Sequence, residues 1–400
     1  MSIQKRKEKL PFALPITNNM KNTGQKLLLI ALFLAGVWSW QGCTKDKEPD
    51  IDKNLPSVDD YDRVLMLSNY ANAYIVPAYT EYKSQLNNLT SDVQNFTGSP
   101  SITTLQNLRI KWETALLVWQ DVAFLELGPA AYIGLRSQTN LYPVDTTLIH
   151  TNISLGTYNL QAASNFDAKG LQAIDYLING IALNDQAIVD YFNATPNAKL
   201  YLQDVASELL TNATYVQNEW SVSFAQSFVS NSASNAQGSS VSDLLNAIVQ
   251  HYETYVRKGK IGLPAGVFNG FSQLPMPEHV EAYYYGQSLP FVYRSLNALQ
   301  KILKGEAYET TTNGEGLDDY LNFVQAQTAG QPLELVIDNQ INTIKTQLDA
   351  INDPLSNEVV SNNAGVQNVY QPMQQLVPQL KIEVTDALGV MITYQDTDGD

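Results

Sequence analysis

The sequence predicts an all-α protein with two helical-bundle halves of about four helices each. Apolar side chains recur at steps of three and four residues along most of the chain, which is the spacing of one buried helix face. The alternation that is typical of strands is scarce, and Gly, Pro and Ser interrupt the apolar stripes. The 400 residues suit two domains, and an apolar content of 44% is enough for two large cores.

The first half, residues 57–226, contains the longest apolar stripes. Ser57 is a suitable N-cap for the first helix, and Pro77 should kink that helix or split it in two. The second stripe ends at Gly128-Pro129, a common helix stop. The helices of this half are predicted over about 58–96, 104–127, 168–180 and 196–220.

The clearest break in composition is residues 227–242, which carry no charge and are rich in Ser, Asn and Ala. This composition predicts a junction loop between the two halves. Helical spacing resumes in the second half, residues 243–400. The helices of this half are predicted over about 243–258, 277–303, 316–327, 332–351 and 366–394.

Residues 1–42 have the features of a lipoprotein signal peptide. Their apolar run, residues 27–40, is too short for a usual membrane span, and a glycine follows just before Cys43. This pattern predicts cleavage before Cys43 and acylation of its thiol; a signal anchor with an incidental cysteine is the alternative. Residues 43–56 are polar and form a predicted tether.

Acyl chains on Cys43 would anchor the protein without spanning the bilayer, which predicts a lipoprotein of the bacterial cell envelope at the outer membrane. Acidic residues directly after the cysteine favour exposure at the cell surface. Translation from Met20 instead of Met1 would give a signal of conventional length. The net charge of −16 repels nucleic acid, so the membrane is a predicted partner and nucleic acid is not.

Several segments of the chain resemble the imelysin family of bacterial envelope proteins. They include PAYTEYKSQLNNL, LQNLRIKWETALLVWQDVAFLELGPA, GLQAIDYLING and PEHVEAYYYGQSLPFVYRSLNALQKILKG, and the likeness extends over about residues 57–400 in the family order. The resemblance implies an all-α fold with two bundle-like halves and a role in bacterial iron uptake. It also implies an alternative activity, because the founding members were described as metal-dependent peptidases.

The family signature is Gly-x-His-x-x-Glu, and this chain has Gly170, Gln172 and Asp175 at those positions. Side chains three residues apart share a helix face, so the family histidine and glutamate could bind one metal ion. An amide oxygen suits hard cations better than zinc or ferrous iron. The altered pair therefore argues against a zinc-peptidase site.

The resemblance also implies a carboxylate near the end of the second helix, where this chain has Glu126. The predicted ligand-binding residues are Glu126, Gly170, Gln172, Asp175 and His279, between the two bundles. Glu126 and Asp175 are the candidate metal ligands, for iron or another divalent cation. The simpler interpretations are a solvated acid for Glu126, a polar helix start for the 172 and 175 pair, and a surface histidine for His279. No catalytic residue is predicted. The sequence favours a binding component of iron uptake over a metal-dependent peptidase or an adaptor with a decayed site.

Overall fold

Helices form nearly all of the regular structure in residues 56–395, the part of the chain that this computed structural model describes. The prediction of an all-α fold is therefore confirmed. In the described residues, β-structure is limited to one isolated bridge and an antiparallel pair, Gln327–Thr328 with Gln331–Pro332. The predicted signal peptide, Cys43 and nearly all of the predicted tether lie outside the described residues.

The first half begins with a 3-10 turn, Val58–Asp60, and has a second one at Ala163–Ala168. Three π-helical segments follow directly on α-helices: Tyr70–Ile75, Tyr176–Gly180 and Trp220–Phe224. The α-helices of this half are Arg63–Asn69, Val76–Gly98, Ile102–Val122, Pro129–Ile133, Leu135–Thr139, Thr146–Leu155, Gly170–Asp175, Asp185–Ala194, Pro196–Glu219 and Ala225–Ser230.

The second half contains a twelve-residue π-helical segment, His251–Gly262, and a shorter one, Gln379–Val384. A 3-10 turn covers Pro277–His279. The α-helices of this half are Ser240–Gln250, Leu289–Leu303, Leu317–Phe323, Leu333–Leu348, Leu355–Ser361, Asn363–Pro378 and Thr385–Ala387.

The long helices of the first half form one packed group. Val76–Gly98 packs against both Ile102–Val122 and Pro196–Glu219. Large side chains such as Trp112 and Tyr82 are fully buried there. Their burial removes apolar surface from water, which is the main force holding the three helices together.

A second packed group lies in the other half, where Asn363–Pro378 contacts both Leu333–Leu348 and His251–Gly262. Leu289–Leu303 connects the groups, because it packs on Ile102–Val122 of the first half and on Leu333–Leu348 of the second. The domain boundaries at residues 226/227 and 242/243 stay predictions.

The start of the first helix shows why its proline is tolerated. Ser57 caps the opening 3-10 turn, as expected. Pro77 has no N–H to donate to the carbonyl of Ala73, and the helix passes through a π-helical segment just before it. The Ala73 carbonyl instead accepts a hydrogen bond of 2.9 Å from the Tyr308 backbone N–H. Pro77 therefore leaves a carbonyl free, and a distant segment satisfies it.

The predicted helix over 277–303 is wrong in its first part. After the short turn Pro277–His279 the chain is irregular until the helix Leu289–Leu303 begins. Within the irregular stretch Ala282 has a φ of 57° and Gly286 a φ of 79°, and neither conformation can continue a right-handed helix. Two backbone N–H groups of this stretch donate hydrogen bonds to side chains of the first half.

Other boundaries also differ from the prediction; the helices predicted over 104–127 and 316–327 end at Val122 and Phe323. The last helix ends at Ala387 rather than near 394, because Gly389 adopts a φ of 64° and terminates it. The irregular stretch in the predicted junction loop is only 231–239. The Ser239 hydroxyl caps the next helix by accepting a hydrogen bond of 3.2 Å from the Ser242 backbone N–H.

Within residues 56–395, none of the helices combines the length and the apolar character needed to cross a membrane.

Candidate functional site

The helix that carries the altered signature is fixed in place by Gly170 and Trp112. Gly170 has a φ of +80°, and a Cβ at this position would lie 2.3 Å from the Thr139 carbonyl oxygen. Only glycine tolerates both the conformation and the contact. The Trp112 indole N–H donates a hydrogen bond of 2.7 Å to the Leu171 carbonyl. The glycine of the signature therefore allows the start of this helix to approach the preceding chain.

Gln172 is almost fully buried, and both ends of its amide group are hydrogen-bonded. Its Oε1 accepts a bond of 2.9 Å from the Ala282 backbone N–H, and its Nε2 donates a bond of 2.8 Å to Asn140 Oδ1. Such pairing is expected for a buried amide, since an unpaired one is costly. Gln172 thus joins the 170–175 helix to the irregular stretch in the other half.

Asp175 repeats this arrangement one turn later. It is fully buried; its Oδ2 accepts a bond of 3.1 Å from the Tyr284 backbone N–H, and its Oδ1 accepts one of 2.8 Å from Asn179 Nδ2. Burial raises the pKa of Asp175 to about 7, although the hydrogen bonds from Asn179 and from the backbone of Tyr284 and Tyr285 oppose the rise.

Gln172 and Asp175 together form what we term the backbone clamp, because their side-chain oxygens hold the N–H groups of Ala282 and Tyr284. The two side chains share a helix face, as their spacing predicts. Ala282 and Tyr284, which donate these hydrogen bonds, are two residues apart in the irregular stretch before the helix Leu289–Leu303. The pair therefore binds a segment of the same chain.

The backbone clamp positions Glu281, which is the centre of a buried polar cluster. Glu281 is 1% exposed, and its Oε2 pairs with the Lys260 ammonium group, which is also buried. Its Oε1 accepts bonds of 2.7 Å from Asn140 Nδ2 and 3.1 Å from Gln120 Nε2. Burial lowers the pKa of Lys260, and the Glu281 carboxylate counteracts this. One cation and two hydrogen-bond donors thus compensate the Glu281 carboxylate for its removal from water, as a buried ion pair requires.

The residues at the signature do not fit a metal ion in this arrangement. The Gln172 oxygen and both Asp175 oxygens already accept hydrogen bonds, and these atoms belong to one amide and one carboxylate. In residues 56–395, no three His, Cys, Asp or Glu side chains converge closely enough to hold a metal ion. Glu126 and Asp175, the predicted metal pair, therefore belong to no such cluster there.

Gln172 also lines a cavity of about 220 Å³, together with Glu278. His279 follows this acid, is partly exposed, and has its Nε2 3.8 Å from Glu278 Oε1. The structure thus places His279 close to the Gln172 cavity without a hydrogen bond to Gln172 or Asp175. The other residues that line the cavity are Tyr142, Pro143, Val144, Thr146, Val280, Tyr283 and Tyr284.

Glu126 lies elsewhere, in a larger cavity of about 590 Å³ that we term the junction cavity. Its carboxylate accepts bonds of 3.1 and 3.3 Å from the Arg136 backbone N–H. Burial raises the pKa of Glu126, and the charge of Arg136 opposes this. The cavity is lined by Glu126, Leu127, Gly128, Ala131, Tyr132, Phe224, Ser227, Phe228, Asn231, Gly238, Ser240, Asp243, Asn246, Ala247, Gln250, Thr393 and Tyr394.

Both halves contribute walls to the junction cavity. Glu126, Tyr132 and Phe224 come from the first half, and Asp243 and Tyr394 come from the second. Burial raises the pKa of Asp243. Glu126 therefore lines a cavity to which both halves contribute, whereas Gln172 and Asp175 accept hydrogen bonds from the irregular stretch of the second half. The structure does not place Glu126 and Gln172 in the same cavity.

Sequence reasoning missed Asp243, Lys260, Asn140 and Gln120. Lys260 lies on the π-helical segment His251–Gly262, whose wide turns have no simple sequence signal. Asn140 and Gln120 belong to no motif, and their roles follow from hydrogen bonds with Glu281 and, for Asn140, also with Gln172. Asp243 had a weak signal, because it is the first charged residue after an uncharged stretch.

His251 is a buried histidine of unusual environment. Its ring stacks on Tyr255 with a centroid distance of 5.8 Å and lies near Phe124. Burial, with the charges of Arg136 and Lys260, lowers its pKa well below the usual value. Neither ring nitrogen has a hydrogen-bond partner in residues 56–395. His251 therefore packs among aromatic rings in the interior.

Comparisons with known proteins agree with the fold and with the family resemblance. The family model described as "Peptidase_M75: Imelysin" matches residues 75–382. No curated protein matches the chain.

Two solved structures share the fold. One is described as an iron-regulated protein A precursor from Parabacteroides distasonis ATCC 8503; it is 16% identical, with a TM-score of 0.68 over 84% of this chain and 97% of that one. The other is an imelysin-like protein from Psychrobacter arcticum 273-4, 16% identical, with a TM-score of 0.62 over 83% of this chain and 97% of that one. Since the family model matches more than half of the sequence, the chain belongs to the imelysin family.

Proposed function

We propose that this imelysin-family protein is a lipid-anchored binding component of bacterial iron acquisition, and that it holds an iron-bearing ligand in the junction cavity. The observation that carries the proposal is the cavity itself: both halves line it, and its volume of about 590 Å³ is in the range of small-molecule sites. The name of the Parabacteroides protein associates a similar fold with iron regulation.

Binding is better supported than peptide hydrolysis. The side chains at the signature positions hold backbone N–H groups rather than presenting free oxygens to a metal ion. Glu281, the other buried carboxylate nearby, is neutralised by Lys260. Glu126 and Asp243, in contrast, form no ion pair in the described part of the chain and line an open cavity. Of these carboxylates, Glu126 and Asp243 are the ones that remain available to a ligand, and both line the junction cavity.

A titration with iron compounds tests this function. We expect the detergent-solubilised protein to bind ferric ferrioxamine B, haem or ferric citrate saturably at one site, measured by calorimetry and by quenching of tryptophan fluorescence. Ala131→Trp would fill the cavity from its exposed rim and should weaken binding at least tenfold. Ala194→Trp, at an exposed helical position outside this cavity, is the matched control and should bind as the parent does.

The proposal fails if none of the three compounds binds saturably, or if Ala131→Trp and Ala194→Trp bind alike. The first outcome would favour an adaptor whose ancestral site has decayed.

The anchor is a separate part of the proposal. The glycine before Cys43 and the short apolar run ahead of it support lipidation and an envelope location at the outer membrane. The acidic residues after the cysteine support exposure at the cell surface. In cells given radiolabelled palmitate, we expect label on the parent protein and none on Cys43→Ser, which should leave the membrane fraction. Equal labelling of both would contradict the anchor.

A further inference from the structure

The charge of the junction cavity is unbalanced. Two of the residues that line it are acids, Glu126 and Asp243, and none is Lys, Arg or His. Arg136, whose charge acts on Glu126, does not line the cavity. It donates bonds of 3.0 and 3.2 Å to the Ala123 carbonyl and lies 4.3 Å from the centre of the Tyr255 ring. The cavity is therefore electrostatically negative.

The two acids have room to bind a ligand. Glu126 accepts bonds only from the Arg136 backbone N–H in the described residues, which leaves acceptor capacity on its carboxylate. The Asp243 side chain has no hydrogen-bond or ion-pair partner in residues 56–395; its place in the first turn of Ser240–Gln250 favours its charge but does not neutralise it. Asp243 is exposed and Glu126 is half-buried, so a ligand cation in the cavity could approach both carboxylates.

The aromatic walls suit a cation as well. Tyr132 is 74% exposed and meets Phe224 edge to face, with ring centroids 6.5 Å apart. The Phe224 ring occupies the space above Gly128, where a Cβ would lie 2.1 Å from it. Glycine at 128 thus permits this ring position at the cavity wall. Ring faces attract ammonium groups, and they do so more strongly where water is partly excluded.

We infer that the junction cavity selects a positively charged, amine-bearing iron chelate, held between the Glu126 and Asp243 carboxylates and the Tyr132 and Phe224 rings. This inference rests on the proposed function and adds the charge of the ligand to it. An anionic chelate meets two like charges in the cavity and a negative protein overall. A neutral chelate of the same shape gains neither the ion pairs nor the cation–π contact.

A pair of ligands that differ only in charge tests the inference on the unaltered protein. Ferric ferrioxamine B carries a free ammonium group, and its N-acetyl derivative is neutral but nearly the same in shape. We expect the ammonium form to bind at least tenfold more tightly at pH 7 and low salt, and ferric citrate to bind most weakly. Raising the NaCl concentration to 0.3 M should reduce the preference, because salt screens partly exposed charges.

Variants of the protein then locate the effect. Glu126→Gln combined with Asp243→Asn should remove the preference for the ammonium form, whereas Glu309→Gln, at an exposed acid outside the cavity, should leave it unchanged. Equal binding of the ammonium and acetylated forms would overturn the charge inference and leave the proposed function standing. Failure of all three iron complexes and of haem to bind would overturn both.

Discussion

Replacing Gly170 with alanine should lower the free energy of unfolding by about 3 kcal/mol, which combines the cost of a left-handed backbone with that of a forced contact in a packed core. The φ of +80° disfavours any side chain, and the new Cβ would lie 2.3 Å from the Thr139 carbonyl oxygen. Backbone cannot rotate away as a side chain can, so the helix that carries Gln172 and Asp175 must shift. Urea unfolding followed by circular dichroism measures the loss.

Gly238→Ala is a matched control for this prediction. Gly238 has nearly the same φ, +83°, but a Cβ there would meet nothing within 4 Å. Its replacement should cost only the backbone term, about 1 kcal/mol. If the two variants lose equal stability, the close approach of the signature helix to Thr139 is not important to the fold.

The second large effect expected is a dependence of stability on pH that originates at Asp175. Its folded-state pKa of about 7 lies above its ordinary value of 3.8, so the folded protein retains a proton that the unfolded chain has released. Stability therefore falls as pH rises through this window. Between pH 4 and pH 8 the contribution should amount to up to about 4 kcal/mol, since each pKa unit corresponds to about 1.4 kcal/mol.

Asp175→Asn isolates this contribution, because asparagine keeps an acceptor oxygen and does not titrate. A constant loss from imperfect hydrogen bonding would displace its stability curve without changing the slope with pH. We expect the parent protein to lose stability from pH 4 to pH 8 more steeply than Asp175→Asn. Asp386→Asn, at an exposed position, should keep the slope of the parent. Parallel curves for the parent and Asp175→Asn would contradict the prediction.

Much of the fold was predictable from local patterns. The helices Val76–Gly98 and Ile102–Val122 have continuous apolar stripes, although the second ends at Val122, five residues before its predicted end at 127. The failure over 277–288 has a specific physical cause. The local sequence is compatible with a helix, but the N–H groups of Ala282 and Tyr284 bind side chains of the first half instead. Contacts between residues more than 100 positions apart leave no local signal.

The candidate site was predictable only in part. Helical spacing correctly placed Gln172 and Asp175 on one face, but it could not show that the face binds backbone rather than a ligand. Glu126 was identified through the family resemblance, and the structure places it in the junction cavity with Asp243. Lys260 could not be found, since its role depends on the burial of Glu281 and on a π-helical register.

The backbone clamp recognises peptide groups, and every amino acid except proline supplies the same N–H. The clamp itself therefore places no demand on the side chains at 282 and 284; Ala282 is limited separately, by its full burial and its φ of 57°. The pair at 172 and 175 is under the opposite constraint, because each must keep an acceptor at a fixed reach. The signature positions, although one of them has glutamine in place of histidine, can in this way still hold the two halves of the fold together.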